Sequence, residues 1–186
     1  MTPYHRPRSL AEAIALRPGT MPLAGGTDVY PARATRAAWG DPTHPPVLDL
    51  SAIPGLSTIE ATDTGWRIGP LVTWSAIRDA ALPPLFDGLR AAARDVGGRQ
   101  VQNRGTIVGN LCTASPAGDG IPNLLALDAA VETTGPGGVR HLPVAQFVTG
   151  YGPRPSLRTR SSRRFTSPAS RAAAAASRSS APAATS

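Results

Sequence analysis

Apolar patterning runs along this chain from Leu10 to Val148 and then stops. Beyond Tyr151 the sequence turns to arginine, serine, alanine and proline, with Leu157 and Phe165 the only large aliphatic or aromatic side chains. A segment of that kind cannot bury enough apolar surface to offset the entropy of ordering it. Residues 151–186 are therefore expected to form a disordered tail, and whatever folds is built from residues 1–150, enough for one domain or two small ones. Charge divides at the same place. Residues 1–150 carry twelve arginines and all twelve acidic groups, whereas 151–186 carry seven arginines and no acid. The net charge of +7 thus belongs to the tail, and no nucleic-acid-binding surface is expected of the folded part.

With 19 glycines and 20 prolines in the chain, its elements are short. Ser9 and Glu12 form a capping box, so a helix should follow and end at Arg17-Pro18-Gly19. TMPLAGGTDVYPARATRAAWG reads as strand, tight loop, helix. VLDLS at 47–51 is a further strand, and Pro54-Gly55 marks a boundary between two subdomains, 1–55 and 56–150. From Leu56, two short strands flank the turn Asp63-Thr64-Gly65, after which Thr73 caps a helix over TWSAIRDAA. Pro84 to Gly98 carries Leu85, Phe86, Leu89, Ala92, Ala93 and Val96 at helical spacing. A short helix over IPNLLALDA, a hairpin closed by Gly135 to Gly138, and a helix starting in PVAQFVTGY complete the reading. Trp66 and Trp74 are expected in the core.

Two glycine-rich segments carry the chemistry. In LAGGTDV, Gly25 and Gly26 remove two side chains at a strand-to-helix turn, so backbone N–H groups can approach an anion that the helix dipole also favours, and Thr27 adds a hydroxyl. Taken alone, a Gly-Gly pair also serves as a plain tight turn. The second segment, GTIVGNLCTASPAGD, reads as a long polar loop: Gly105 and Gly109 permit close backbone approach, Thr106, Asn110, Thr113 and Ser115 offer polar contacts, and Asp119 is an acceptor. Its plainer reading is an irregular connection in which Asn110 and Ser115 satisfy backbone groups and Asp119 caps the next helix.

The single Cys112 supports neither an internal disulfide nor a four-thiolate cluster and points to a reducing, cytoplasmic setting; packing is its expected role. His5, His44 and His141 have no metal-ligand spacing, and no metal site is expected. No apolar core of signal-peptide length opens the chain and no run of about 18 apolar residues follows, so no membrane span is expected.

LAGGTDV, followed in order by IGPLVTWSAI, RQVQNRGTIVGN, TASPAGD and LLALDA, resembles the FAD-binding subunit of molybdenum hydroxylases, the family of xanthine dehydrogenases and aerobic carbon monoxide dehydrogenases. The resemblance spans the N-terminal region to about Tyr151. It implies an α+β, two-subdomain FAD-binding fold of the PCMH type, lacking the family's C-terminal domain, with FAD in the crevice between the subdomains. It further implies that Pro22, Leu23, Ala24, Gly25, Gly26, Thr27, Asp28 and Val29, together with Thr106, Ile107, Val108, Gly109 and Asn110, wrap the FAD diphosphate. Val96 and Asp119 would contact the cofactor elsewhere. Where many relatives have a double glycine before the asparagine, this chain has Val108-Gly109.

The function implied is that of an electron-transfer subunit, an FAD-dependent oxidoreductase component passing electrons from iron–sulfur clusters through FAD to NAD or another acceptor. Its partners would be an iron–sulfur subunit and a molybdenum-cofactor subunit. No acid/base or nucleophile constellation is expected, because hydroxylation would take place on another subunit. Two alternatives stay open: an FAD-dependent oxidase of a related fold, and a noncatalytic nucleotide- or polyanion-binding protein relying on the basic tail. In place of the strand the family predicts after FVTGY, this chain has its arginine- and serine-rich segment, as a reading-frame shift in G- and C-rich DNA near Tyr151 would produce. The product would then be truncated and nonfunctional.

Overall fold

The computed structural model describes residues 2–148 and the backbone of 162–167. β1 (Tyr4–His5) leads to α1 (Leu10–Leu16). The Ser9 hydroxyl accepts the Glu12 N–H at 3.2 Å, and the Glu12 carboxylate reaches back to the Arg8 N–H at 2.8 Å, so α1 starts where its cap dictates. β2 (Met21–Leu23), α2 (Val29–Ala38) and β3 (Val47–Asp49) follow as strand, crossover helix, parallel strand. β3 lies at the centre of a parallel sheet of order β1-β3-β2. One face of this sheet is covered by α1: Ala13 packs with Leu48, Leu50, Ile53 and Leu56 in a first apolar cluster. No residue of α2 is fully buried.

β4 (Ile59–Thr62) and β5 (Gly65–Ile68) form a hairpin around Asp63 and Thr64. The Thr73 hydroxyl caps α3 (Trp74–Asp79) by accepting the Ala76 N–H at 3.2 Å. A 3-10 turn over Pro84–Phe86 runs into α4 (Asp87–Asp95), so the stripe expected from Pro84 begins as a turn, and Leu85 is 55% exposed rather than packed. α5 (Arg99–Gln102), α6 (Ile107–Thr113), α7 (Gly120–Ala126), β6 (Ala130–Gly135), β7 (Gly138–Pro143) and α8 (Val144–Phe147) complete the chain to residue 148. Trp74, Ile77, Phe86, Leu89, Ile107 and Leu111 dominate a second, larger apolar cluster, with Trp66 edge-on to Phe86 at 5.9 Å and 72°. No described helix is long and apolar enough to cross a membrane.

Two further findings depart from the sequence expectations. GTIVGNLCTASPAGD is not one long loop, because Ile107–Thr113 is helical. The Thr106 hydroxyl caps the turn by accepting the Gly109 N–H at 3.0 Å, and Ile107, Val108 and Leu111 drive one face inward. Small and polar neighbours hide that spacing in the sequence. Second, Ser162–Ser167, inside the stretch read as disordered, forms β8, which lies between β5 and β6 in an antiparallel sheet of order β4-β5-β8-β6-β7. Composition decides whether such a segment folds alone. Between two strands its backbone donors and acceptors find partners on both sides, and the register sets Phe165 opposite both Ile68 and Val131. The rest of 151–186 lies outside the described residues.

Candidate functional site

The β2–α2 loop and the start of α6 come together although they are far apart in sequence. Thr73 and Thr106, the capping residues of α3 and α6, form an antiparallel bridge in which the Trp74 N–H donates to the Gly105 carbonyl at 3.0 Å and the Ile107 N–H to the Val72 carbonyl at 3.2 Å. That stitch fixes Arg104 and Gly105 against the β2–α2 loop. A Cβ on Gly25 would collide with the Arg104 carbonyl oxygen, and one on Gly26, whose φ is +77°, would come within 2.7 Å of the Tyr30 ring. In sequence, both glycines are expected to admit an anion. The structure gives Gly25 a different first task, letting two backbone segments touch.

Between these segments lies a cleft of about 370 Å³, within the usual size range of small-molecule sites, about 300–1,000 Å³. Pro22, Ala24, Gly25, Gly26, Thr27, Asp28 and Val29 line it from one side, and Thr106, Val108, Gly109, Asn110 and Thr113 from the other, with Val96 also on the wall. Leu23 and Ile107 do not line it; both are buried in the packed interior. Ser115 lines a second, shallower depression with Pro116 and Pro122. Asp119 is exposed at the start of α7, where its carboxylate makes no cap bond and its carbonyl accepts the Asn123 amide at 2.9 Å.

Gly105, read in the sequence as a point of close backbone approach, lines it too, and the cleft also holds residues not read as cofactor contacts: Arg17, Leu50, Pro70, Trp74, Val101 and Cys112. Trp74 is in the core as expected, 1% exposed, and also lines the cleft. Arg17 ends α1 just ahead of the glycine loop, a position from which a charge can reach a site built on the next strand.

Chemically the cleft is a donor site. Among the described residues, the N–H groups of Gly26, Thr27, Asp28 and Val29 donate no hydrogen bond, nor does that of Val108 in the first turn of α6, and Asp28 makes no side-chain cap bond to α2. Orphan donors at a helix start, added to the positive end of the α2 dipole, favour an anionic group. Asn110 helps hold the far wall, its side-chain oxygen Oδ1 accepting the Gly120 N–H at 3.3 Å. No group of histidine, cysteine and acidic side chains among the described residues has metal-binding geometry. Beside the cleft, Asp49 caps the turn that bears Leu50, accepting the Ser51 N–H at 2.9 Å and the Tyr4 hydroxyl at 2.7 Å. The bond to Asp49, with burial and the nearby charge added, pushes the Tyr4 hydroxyl up to about 12. Burial opposes ionisation of Asp49, yet Tyr4, Ser51 and the nearby Arg6 together hold its carboxyl below the usual range.

The sequence pattern described as the FAD binding domain in molybdopterin dehydrogenase matches residues 1–161. The chain is 34% identical over 154 residues to the xanthine dehydrogenase FAD-binding subunit of Escherichia coli O157:H7, covering 80% of this chain and 51% of that protein. It is 34% identical over 152 residues to the carbon monoxide dehydrogenase medium chain of Afipia carboxidovorans, covering 79% and 51%. Among solved structures, carbon monoxide dehydrogenase from Hydrogenophaga pseudoflava superposes with a TM-score of 0.76 at 25% identity, covering 89% of this chain and 58% of that one. Quinoline 2-oxidoreductase from Pseudomonas putida 86 gives 0.80 at 23% identity, a likeness of fold. The chain spans about half the length of the curated relatives it matches.

Proposed function

The chain belongs to the family of FAD-binding domains of molybdopterin dehydrogenases, and from that premise we propose that the cleft holds the diphosphate of FAD. The observation that carries this reading is the cradle itself: two glycines that admit no side chain and, among the described residues, N–H groups without a partner at the starts of α2 and α6, on residues that line one cleft. Pro22–Val29 and Thr106–Asn110 would hold the diphosphate largely through backbone. Thr113 and Val96 would line the bound cofactor, with Ser115 and Asp119 reached further along. FAD would extend between an N-terminal subdomain, 1–55, and a second, 56–150.

When bound, FAD supplies the redox chemistry, accepting electrons and passing them on, while the protein positions the flavin and tunes it. We propose that the chain serves as the FAD-binding, electron-transfer subunit of a cytoplasmic molybdenum hydroxylase. Electrons would come from an iron–sulfur subunit beside a molybdenum-cofactor subunit and leave to NAD or another acceptor. The purified chain should take up FAD in a tight complex with the visible absorption of a protein-bound flavin. A chain that stays colourless after incubation with FAD and desalting overturns the reading.

A further inference from the structure

The geometry points to Arg17 as the charged contact for the dianionic part of the cofactor, an inference that rests on the FAD reading above. Of the residues that line the cleft, Arg17 is the only cation and Asp28 the only anion among the described residues. Without Arg17 the lining would carry net negative charge, set by Asp28 at the start of α2, and a diphosphate would enter against it.

The arginine is held for this work by the turn that ends α1. Its Nη1 donates to the Thr20 carbonyl at 2.6 Å, and the Thr20 hydroxyl donates in turn to the carbonyls of Leu16 at 3.0 Å and Arg17 at 2.9 Å. Arg17 is half-buried, so less of its rotamer entropy remains to be lost on binding and its charge is screened less than that of a surface arginine. β2 starts at Met21 and delivers the glycine loop to the same cleft. Backbone N–H groups on α2 and α6 set the orientation of the phosphates, and the guanidinium supplies the full positive charge that backbone donors lack and that offsets Asp28.

Binding of FAD and of ADP to the 186-residue chain, measured by calorimetry at low and high salt, tests this in the wild type, Arg17→Gln and Arg17→Lys. We expect Arg17→Gln to weaken both ligands about tenfold, with a shallower salt dependence than the wild type, and Arg17→Lys to recover most of the affinity. Equal affinity and salt dependence in wild type and Arg17→Gln overturns the role of Arg17 alone. A lysine variant as weak as the glutamine variant, at unchanged thermal stability, overturns the charge argument. A wild type that binds neither FAD nor ADP overturns the FAD reading and this assignment with it.

Discussion

At Gly25 the interior of the site meets the interior of the fold. The missing side chain clears the Arg104 carbonyl, so a single methyl group pushes apart the segments that define the cleft. We expect Gly25→Ala to lose FAD binding and to destabilise the chain by about 2 kcal/mol or more. Gly137→Ala, where a Cβ meets nothing within 4 Å, should stay within about 0.5 kcal/mol of the parent. Thermal melts with and without FAD check the pair, and equal behaviour of the two variants contradicts the argument. Tyr4 and Asp49 make a second residue-scale case. Tyr4 has its folded-state pKa raised above the unfolded value, so its contribution is fully present below about pH 10 and is lost as pH climbs through about 12. Asp49 has its value lowered, so its contribution is present above about pH 4 and lost as pH falls below that. Tyr4→Phe should therefore cost about 1 kcal/mol between those limits and lose less above pH 12. It should also remove a late-titrating phenol from an ultraviolet titration; a wild-type curve without such a late component contradicts the assignment.

Among the elements, those governed by local signals are legible in the sequence. Ser9 and Thr73 announce α1 and α3 by capping chemistry that acts within one turn. The β4–β5 and β6–β7 hairpins follow from turn residues between short apolar runs. α6 is obscured because Gly109, Asn110 and Thr113 are weak helix formers that mask the apolar face made by Ile107, Val108 and Leu111. Arg17 stays hidden for a different reason: an arginine closing a helix looks like any surface charge until the fold turns it toward a cleft assembled from distant segments. The two capping threonines provide an element-scale test. Thr73→Val and Thr106→Val should each cost about 1 kcal/mol, because each removes one hydroxyl acceptor from a helix start. FAD affinity should fall more in Thr106→Val, since Thr106 lines the cleft and Thr73 does not. Equal losses of affinity in the two variants contradict the placement of α6 at the cofactor.

For the molecule as a whole, the layers that hold the cleft depend on contacts at very different sequence distances. β3 pairs with β1 and β2 within the first fifty or so residues, and periodicity exposes all but the two-residue β1. The five-stranded sheet is another matter, because its central strand is Ser162–Ser167, drawn from a segment whose composition predicts no fold. Pairing by backbone leaves little trace in side-chain pattern, which is why β8 is illegible from sequence while the hairpins on either side of it are plain. Its position makes it consequential. Removing β8 would leave β5 and β6 as unpaired inner edges, and exposed edges invite association between chains. In a strand paired on both sides each N–H has a partner, so proline at a central position removes one ladder bond and imposes its own φ. Phe165→Pro should therefore lower stability by about 3 kcal/mol, on the order of 10 °C in Tm, and raise the tendency to aggregate near the transition. Because the cleft draws on neither β5 nor β6, FAD should still bind below that transition. A variant that melts with the parent shows that Ser162–Ser167 does not hold the sheet together, whereas one that melts early yet binds FAD separates the strength of the fold from the working of its site.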